Sequence, residues 1–134
     1  MIKIIALLTT MIVCANGFGC IIDPFQTTIM RVDQLKEKSD VIFFGKLVEL
    51  ETSDQGKQVA KFYVIKSYKG EVSGRVIIRN EVLNSCFRPF HTIDSAYYIF
   101  ATSSKYNKQF EITDSVSNGF VPLEWAVEQE WDLK

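Results

Sequence analysis

The sequence predicts a mainly β protein: a small closed barrel of five strands, with one short helix before it and one after. Three observations carry that expectation. Five runs between residues 41 and 113 are rich in Val, Ile, Phe and Tyr, the residues that fit a pleated, half-buried surface. Polar or glycine-bearing turns separate them, as expected between strands. Amphipathic helical spacing occurs on either side of that region, near 28–38 and 122–131.

At the start of the chain, Met1, Ile2 and Lys3 lead into an apolar run from Ile4 to Val13, and then to the small residues Ala15, Gly17 and Gly19. A charged start, an apolar stretch and a small-residue cleavage point are the parts of a secretory signal peptide. Thr9 and Thr10 interrupt the run and it ends at Asn16, short of the roughly 20 apolar residues that a membrane-spanning helix needs. Cleavage after Gly17 or after Gly19 meets the small-residue rule, and the second makes Cys20 the first mature residue. Residues 1–19 therefore read as a signal peptide and 20–134 as one secreted domain.

Without the signal, 115 residues remain, with 14 basic and 16 acidic side chains and a net charge of −2. That length suits one domain with a usable core. The charge leaves no basic footprint for nucleic acid. Cys14 departs with the signal, so Cys20 and Cys86 are an even pair in an oxidising compartment, for which a single disulfide is the default.

Thr27 or Thr28 can cap the first helix, where Ile29, Val32 and Leu35 fall three apart and Arg31, Asp33, Lys36 and Glu37 cover the other side. The expected strands are Val41–Leu50, Gln58–Tyr68, Arg75–Val82, Ala96–Thr102 and Gln109–Thr113. In the second, Ala60, Phe62 and Val64 share one face, while Lys61, Tyr63 and Ile65 share the other. In the third, Arg75, Ile77 and Arg79 alternate with Val76 and Ile78, so one face is buried and one partly wet. Ser53-Asp54-Gln55-Gly56 and Lys69-Gly70 supply glycine where a left-handed backbone angle is needed. After Pro122, Leu123, Trp125, Ala126 and Trp131 mark the last helix, with Trp125 as its core anchor. Closing five strands into a barrel of the oligonucleotide/oligosaccharide-binding type removes their exposed edges. Strand count alone also permits an open sheet with a helix packed on it.

The residue inventory argues against an enzyme. His91 is the single histidine, and it follows Arg88-Pro89-Phe90 in a loop, so Cys-His or Ser-His chemistry would have to pass through an exposed loop residue. Two mature cysteines and one histidine fall short of a closed four-ligand metal site. Glu49/Glu51 and Glu128/Glu130 read as solvated faces. No phosphate-cradling glycine loop and no Asn-x-Ser/Thr sequon occurs, and no cofactor is implied. Tyr63, Tyr68, Tyr97 and Tyr98 could stack on bases, but a secreted chain of negative charge assigns them to the core and barrel surface.

An ordered set of segments resembles the tissue inhibitors of metalloproteinases and the wider netrin-type module, including bacterial relatives. It comprises Cys20 at the mature start; Ser39-Asp40-Val41-Ile42-Phe43-Phe44-Gly45-Lys46-Leu47-Val48; Phe62-Tyr63-Val64-Ile65-Lys66-Ser67-Tyr68-Lys69-Gly70; Asn84-Ser85-Cys86-Phe87; Tyr98-Ile99-Phe100-Ala101; and Phe110-Glu111-Ile112-Thr113. The resemblance runs from Cys20 to about Trp125. It implies the barrel fold and a Cys20–Cys86 disulfide, with the two cysteines 66 residues apart in the sequence. A bridge closing such a loop contributes about 4 kcal/mol in the chain-entropy model.

The resemblance also implies a protein partner, a zinc metalloproteinase for the inhibitory members. The binding ridge is then Cys20, Ile21 and Ile22 beside Ser85, Cys86 and Phe87. An α-amine has an ordinary pKa of about 8, so part of it is neutral near pH 7. The amine nitrogen and carbonyl oxygen of Cys20 would chelate the protease zinc and displace its water, with Ile21 entering the adjacent pocket. This chain departs from the family at Ile22, where a second cysteine is usual, and at Ser115, near that cysteine's partner. Ile21 is bulkier than the small polar residue common there. Other netrin-type modules bind partners without inhibiting a protease. Cys20 has one more reading, as the lipid-attachment cysteine of a bacterial lipoprotein; that would block the amine, leave Cys86 unpaired and place the protein at a membrane.

Overall fold

A computed structural model describes residues 24–81, 88–104, 109–113 and 119–133. Two short helices, α1 (Pro24–Met30) and α2 (Val32–Lys38), lead into β1 (Val41–Thr52), β2 (Gln58–Lys69) and β3 (Arg75–Asn80). Then follow β4 (Ala96–Ser103), β5 (Phe110–Ile112), β6 (Phe120–Pro122) and α3 (Leu123–Glu128). The ladders close a ring. β1 pairs with β2, β2 with β3, β3 in parallel with β5, β5 with β4, and β4 again with β1. This is the five-stranded barrel, with helix before and after it, that the apolar runs predict, and closure excludes the open sheet.

β4 shows why the ring closes. Its Tyr97–Ile99 segment pairs with β6 and its Ala101–Ser103 segment with β5 on the same side. Between them Phe100 donates its N–H to the Gly119 carbonyl at 2.7 Å and accepts the Thr113 N–H at 2.9 Å. β5 and β6 thus act as one interrupted strand along β4. Gly119 is required by close approach, because a Cβ there would stand 2.6 Å from the Thr113 carbonyl oxygen and 2.8 Å from that of Phe100.

Side chains alternate between two cores. Val41, Phe43, Leu47, Ala60, Phe62, Ile78, Tyr97, Ile99 and Ala101 fill the barrel together with Phe90 and Phe120. Leu35, Ile42, Tyr98, Phe100, Val121, Ala126 and Leu133 form a second core outside it, beneath α2 and α3. Where α2 meets β1, Ser39 and Thr113 share a buried hydroxyl hydrogen bond of 2.8 Å. The Asp40 carboxylate accepts the Ser103 N–H at 2.7 Å.

The expected turn glycines are confirmed, Gly56 with φ of 87° and Gly70 with φ of 67°. Three expectations need correction. The helix expected near 28–38 is two helices. Pro24 opens the first, since a proline has no N–H to leave unpaired there. Arg31, at φ −114° and ψ 14°, leaves helical geometry before α2 begins. Thr28 is fully buried inside α1 and is not a cap. The last helix ends at Glu128, and its buried residue is Ala126, with Trp125 only half-buried. Finally, β6 lies where only a tail was expected. The expected end of the third strand, Val82, lies outside the described residues.

Candidate functional site

All six residues of the sequence-derived ridge, Cys20, Ile21, Ile22, Ser85, Cys86 and Phe87, lie outside the described residues, as does the signal segment. Their neighbours in the chain are described, and they converge. Phe25 stands five residues after Cys20, and Phe90 four after Cys86. Both rings pack on Phe120, Phe25 edge-on at 5.6 Å between centroids and Phe90 tilted at 4.6 Å.

Phe90 reaches the barrel interior because two side-chain amides hold its backbone. Gln58 and Asn80 are directly opposed on β2 and β3, and each is only 2 % exposed. The Gln58 amide nitrogen donates to the Phe90 carbonyl at 2.9 Å, while its oxygen accepts the Phe90 N–H at 2.7 Å. The amide therefore substitutes for a neighbouring strand. Asn80 donates to the Arg88 carbonyl at 3.1 Å and to the Gln58 oxygen at 3.3 Å. Buried polar groups must be paired in this way to be tolerated. The Phe90 ring then closes the end of the barrel against Phe62 and Tyr97, at 5.2 Å from each.

Past Phe90 the loop backbone at His91 and Thr92 faces the Tyr97 phenol oxygen. Burial pushes this phenol above its ordinary range; those two backbone groups work against the rise and the Glu124 charge adds to it. The loop then turns at Asp94, which adopts φ 72°, a conformation that Asp tolerates better than most residues. Asp94 donates its N–H to Leu47 at 2.8 Å and pairs with Lys46 at 3.4 Å.

These contacts enclose a cleft of about 550 Å³ between the 88–95 loop, Phe25 and the β6–α3 junction. Its floor is apolar, from Phe25, Tyr97, Phe120 and Pro122, and Arg88, His91, Asp94 and Glu124 stand among its polar walls. An apolar floor with a few polar groups is the usual composition of a binding pocket. His91 is exposed, as a loop histidine. Among the described residues, no three His, Cys, Asp or Glu side chains are placed to hold a metal ion, and no helix is long and apolar enough to cross a membrane.

Sequence reading did not find Gln58, Asn80, Tyr97 or Phe120 as builders of this site. Two signals were present: Gln58 and Asn80 are the polar residues at the ends of otherwise apolar strand faces. No family model matches the chain, and no curated protein matches it.

Proposed function

We propose that this chain is a secreted binding domain that inhibits a zinc metalloproteinase through Cys20, Ile21 and Ile22, with Ser85, Cys86 and Phe87 completing the edge. One observation carries the reading: the residues that follow both halves of this edge, Phe25 and Phe90, rest on the same ring, Phe120. A chain spans at most about 3.5 Å per residue, so the five- and four-residue distances back to Cys20 and Cys86 leave a disulfide well within reach. Such a bridge would hold the mature N-terminus at the mouth of the cleft.

Held there, the Cys20 amine and carbonyl act together as a bidentate ligand for the protease zinc. Ordering is then complete before the partner arrives, which lowers the entropy lost on binding. The apolar cleft floor gives the partner a further contact beside the metal.

Extending the mature N-terminus by one alanine tests the mechanism. The added residue removes the free amine from Cys20 and leaves the barrel intact. The expected result is that the native protein inhibits at least one member of a zinc-protease panel and the extended protein inhibits none. Inhibition that survives the extension overturns the chelate. A native protein that inhibits none of the panel points instead to a non-inhibitory, secreted or lipid-anchored netrin-like module. Intact mass of the secreted protein separates the states of Cys20: bridged to Cys86, free, or lipidated.

A further inference from the structure

Among the described residues, β2 has strand neighbours on both sides only in its first half. Gln58–Tyr63 pairs with β1 and β3, and the Val64 N–H goes to the Gly74 carbonyl at 2.8 Å. From Ile65 to Lys69, β1 is the strand's single ladder partner among the described residues. Ile65, Lys66, Ser67 and Lys69 are exposed and Tyr68 is half-buried. A strand edge of this kind displays backbone donors and acceptors to another chain, here with β1 register shifts that pass over Ile65 and Tyr68.

The edge is also chemically biased. Tyr63 and Ile65 beside it are 53 % and 56 % exposed. Lys46 and Arg75 stand opposite Tyr63, one on each neighbouring strand. The Lys66 ammonium lies 4.8 Å over the Tyr68 ring, and the Lys69 ammonium is bound to the carbonyls of Lys36 and Glu37 at the end of α2. The nearby acids are largely engaged. Asp94 pairs with Lys46, and Glu49 is held below the ordinary carboxylate range by its hydrogen bond to Lys61, with a smaller contribution from the Arg75 charge. Asp132, whose charge reaches Tyr68, accepts the Tyr98 phenol hydrogen; Glu71 follows in the exposed loop. Lysines on an edge oppose pairing between two identical copies, because the same cations would face one another. They favour a strand that brings carboxylates.

We propose that the Ile65–Lys69 edge accepts an extended, acidic and apolar segment of another protein as an added strand. Its backbone completes the ladder, its apolar side chains meet Tyr63 and Ile65, and its carboxylates meet Lys66 and Arg75. None of these residues lines the cleft, so the proposal stands independently of the inhibitory reading.

The test uses the full mature chain and three capped seven-residue peptides: alternating Glu and Val, alternating Lys and Val, and the Glu-Val peptide with proline at its centre. Residue-resolved amide exchange is the readout. The Glu-Val peptide is expected to slow exchange within Ile65–Lys69 by about tenfold or more, the other two are expected not to, and Lys66→Glu should reverse the preference toward the Lys-Val peptide. Four outcomes overturn the proposal: no protection at peptide concentrations up to about 1 mM, equal protection by both charge types, protection confined to another surface, or edge-to-edge dimers of the protein itself.

Discussion

β4 and the second half of β2 lie on either side of the same strand, β1, yet their environments are opposite. β4 is covered on both faces. Tyr97, Ile99 and Ala101 point into the barrel, while Tyr98 and Phe100 point into the outer core under α2 and α3. It reads in the sequence as an unbroken apolar run, as a doubly buried strand must. β2 alternates while it belongs to the barrel wall, then exposes Ile65, Lys66, Ser67 and Lys69 beyond Val64, with Tyr68 half-buried among them. Helices cover β4 but touch the end of β2 only through Tyr68 and Lys69, so the two strands carry different work: β4 holds the fold together, and Ile65–Ser67 is available.

The largest expected effect follows from the double burial of β4. Ile99 and Phe100 are both fully buried, on opposite faces. Ile99→Ala and Phe100→Ala should each destabilise by about 2–5 kcal/mol, measured by urea unfolding. Tyr63→Ala on the open face of β2 should change stability by no more than about 0.5 kcal/mol. A Phe100→Ala protein as stable as Tyr63→Ala would show that the outer core is not a core, and the comparison would fail.

A second expectation compares the two ends of β2. Gln58, at its buried start, is the sole described partner of both backbone groups of Phe90. Gln58→Leu keeps the volume but leaves those groups unpaired, at a cost of about 1–3 kcal/mol. Amide exchange at Phe90 should quicken with it. If exchange at Phe90 stays slow, the Phe90 ring alone holds the cleft wall.

How far the sequence showed this arrangement depended on the range of the contacts. The strands over 41–69 and 96–103 were legible because alternation or a continuous apolar run is a local signal, and Gly56 and Gly70 mark their turns. The break at Arg31 was not, because Ile29, Val32 and Leu35 keep helical spacing across it. β6 was hidden because three residues after a glycine are too few to display a period. Gln58 reads only as the polar first residue of a strand until the fold brings Phe90 across from 32 positions away. The ridge itself rested on the resemblance, and what the structure adds is the convergence of Phe25 and Phe90, five and four residues after its cysteines, on Phe120.

A smaller effect tests how the open end of β2 is fixed to the barrel. Gly70 and Gly74 both have positive φ, 67° and 66°. A Cβ on Gly70 would stand 2.7 Å from the Asp40 carbonyl oxygen and 2.8 Å from the Val41 side chain, whereas one on Gly74 meets nothing within 4 Å. Gly74→Ala should therefore lose only the left-handed conformational preference, about 1 kcal/mol. Gly70→Ala should lose clearly more in the same thermal melt. Equal losses would mean that the β2 end yields freely, and would weaken the picture of a fixed docking edge.

The smallest effect distinguishes the two faces of β4 by pH. Tyr97 and Tyr98 are neighbours in sequence but belong to different cores, and burial raises the phenol pKa of both. Around Tyr97 the His91 and Thr92 N–H groups offset part of the rise. Around Tyr98 the Asp132 carboxylate adds to it, accepting the phenol hydrogen at 3.3 Å and repelling a phenolate. A raised pKa means that the fold favours the protonated form. The stability it contributes is complete below the unfolded tyrosine pKa of about 10 and is lost as pH rises through the folded value. The tyrosine contribution should therefore be lost only above about pH 10, with phenolate absorbance rising late. Asp132→Asn removes the repulsion at Tyr98 and at Tyr68, so those two should ionise at lower pH while Tyr97 stays unchanged, as resolved against Tyr98→Phe, Tyr68→Phe and Tyr97→Phe. If Asp132→Asn shifts Tyr97 and Tyr98 equally, the two faces of β4 share one electrostatic environment, and the division into two cores does not extend to their charges.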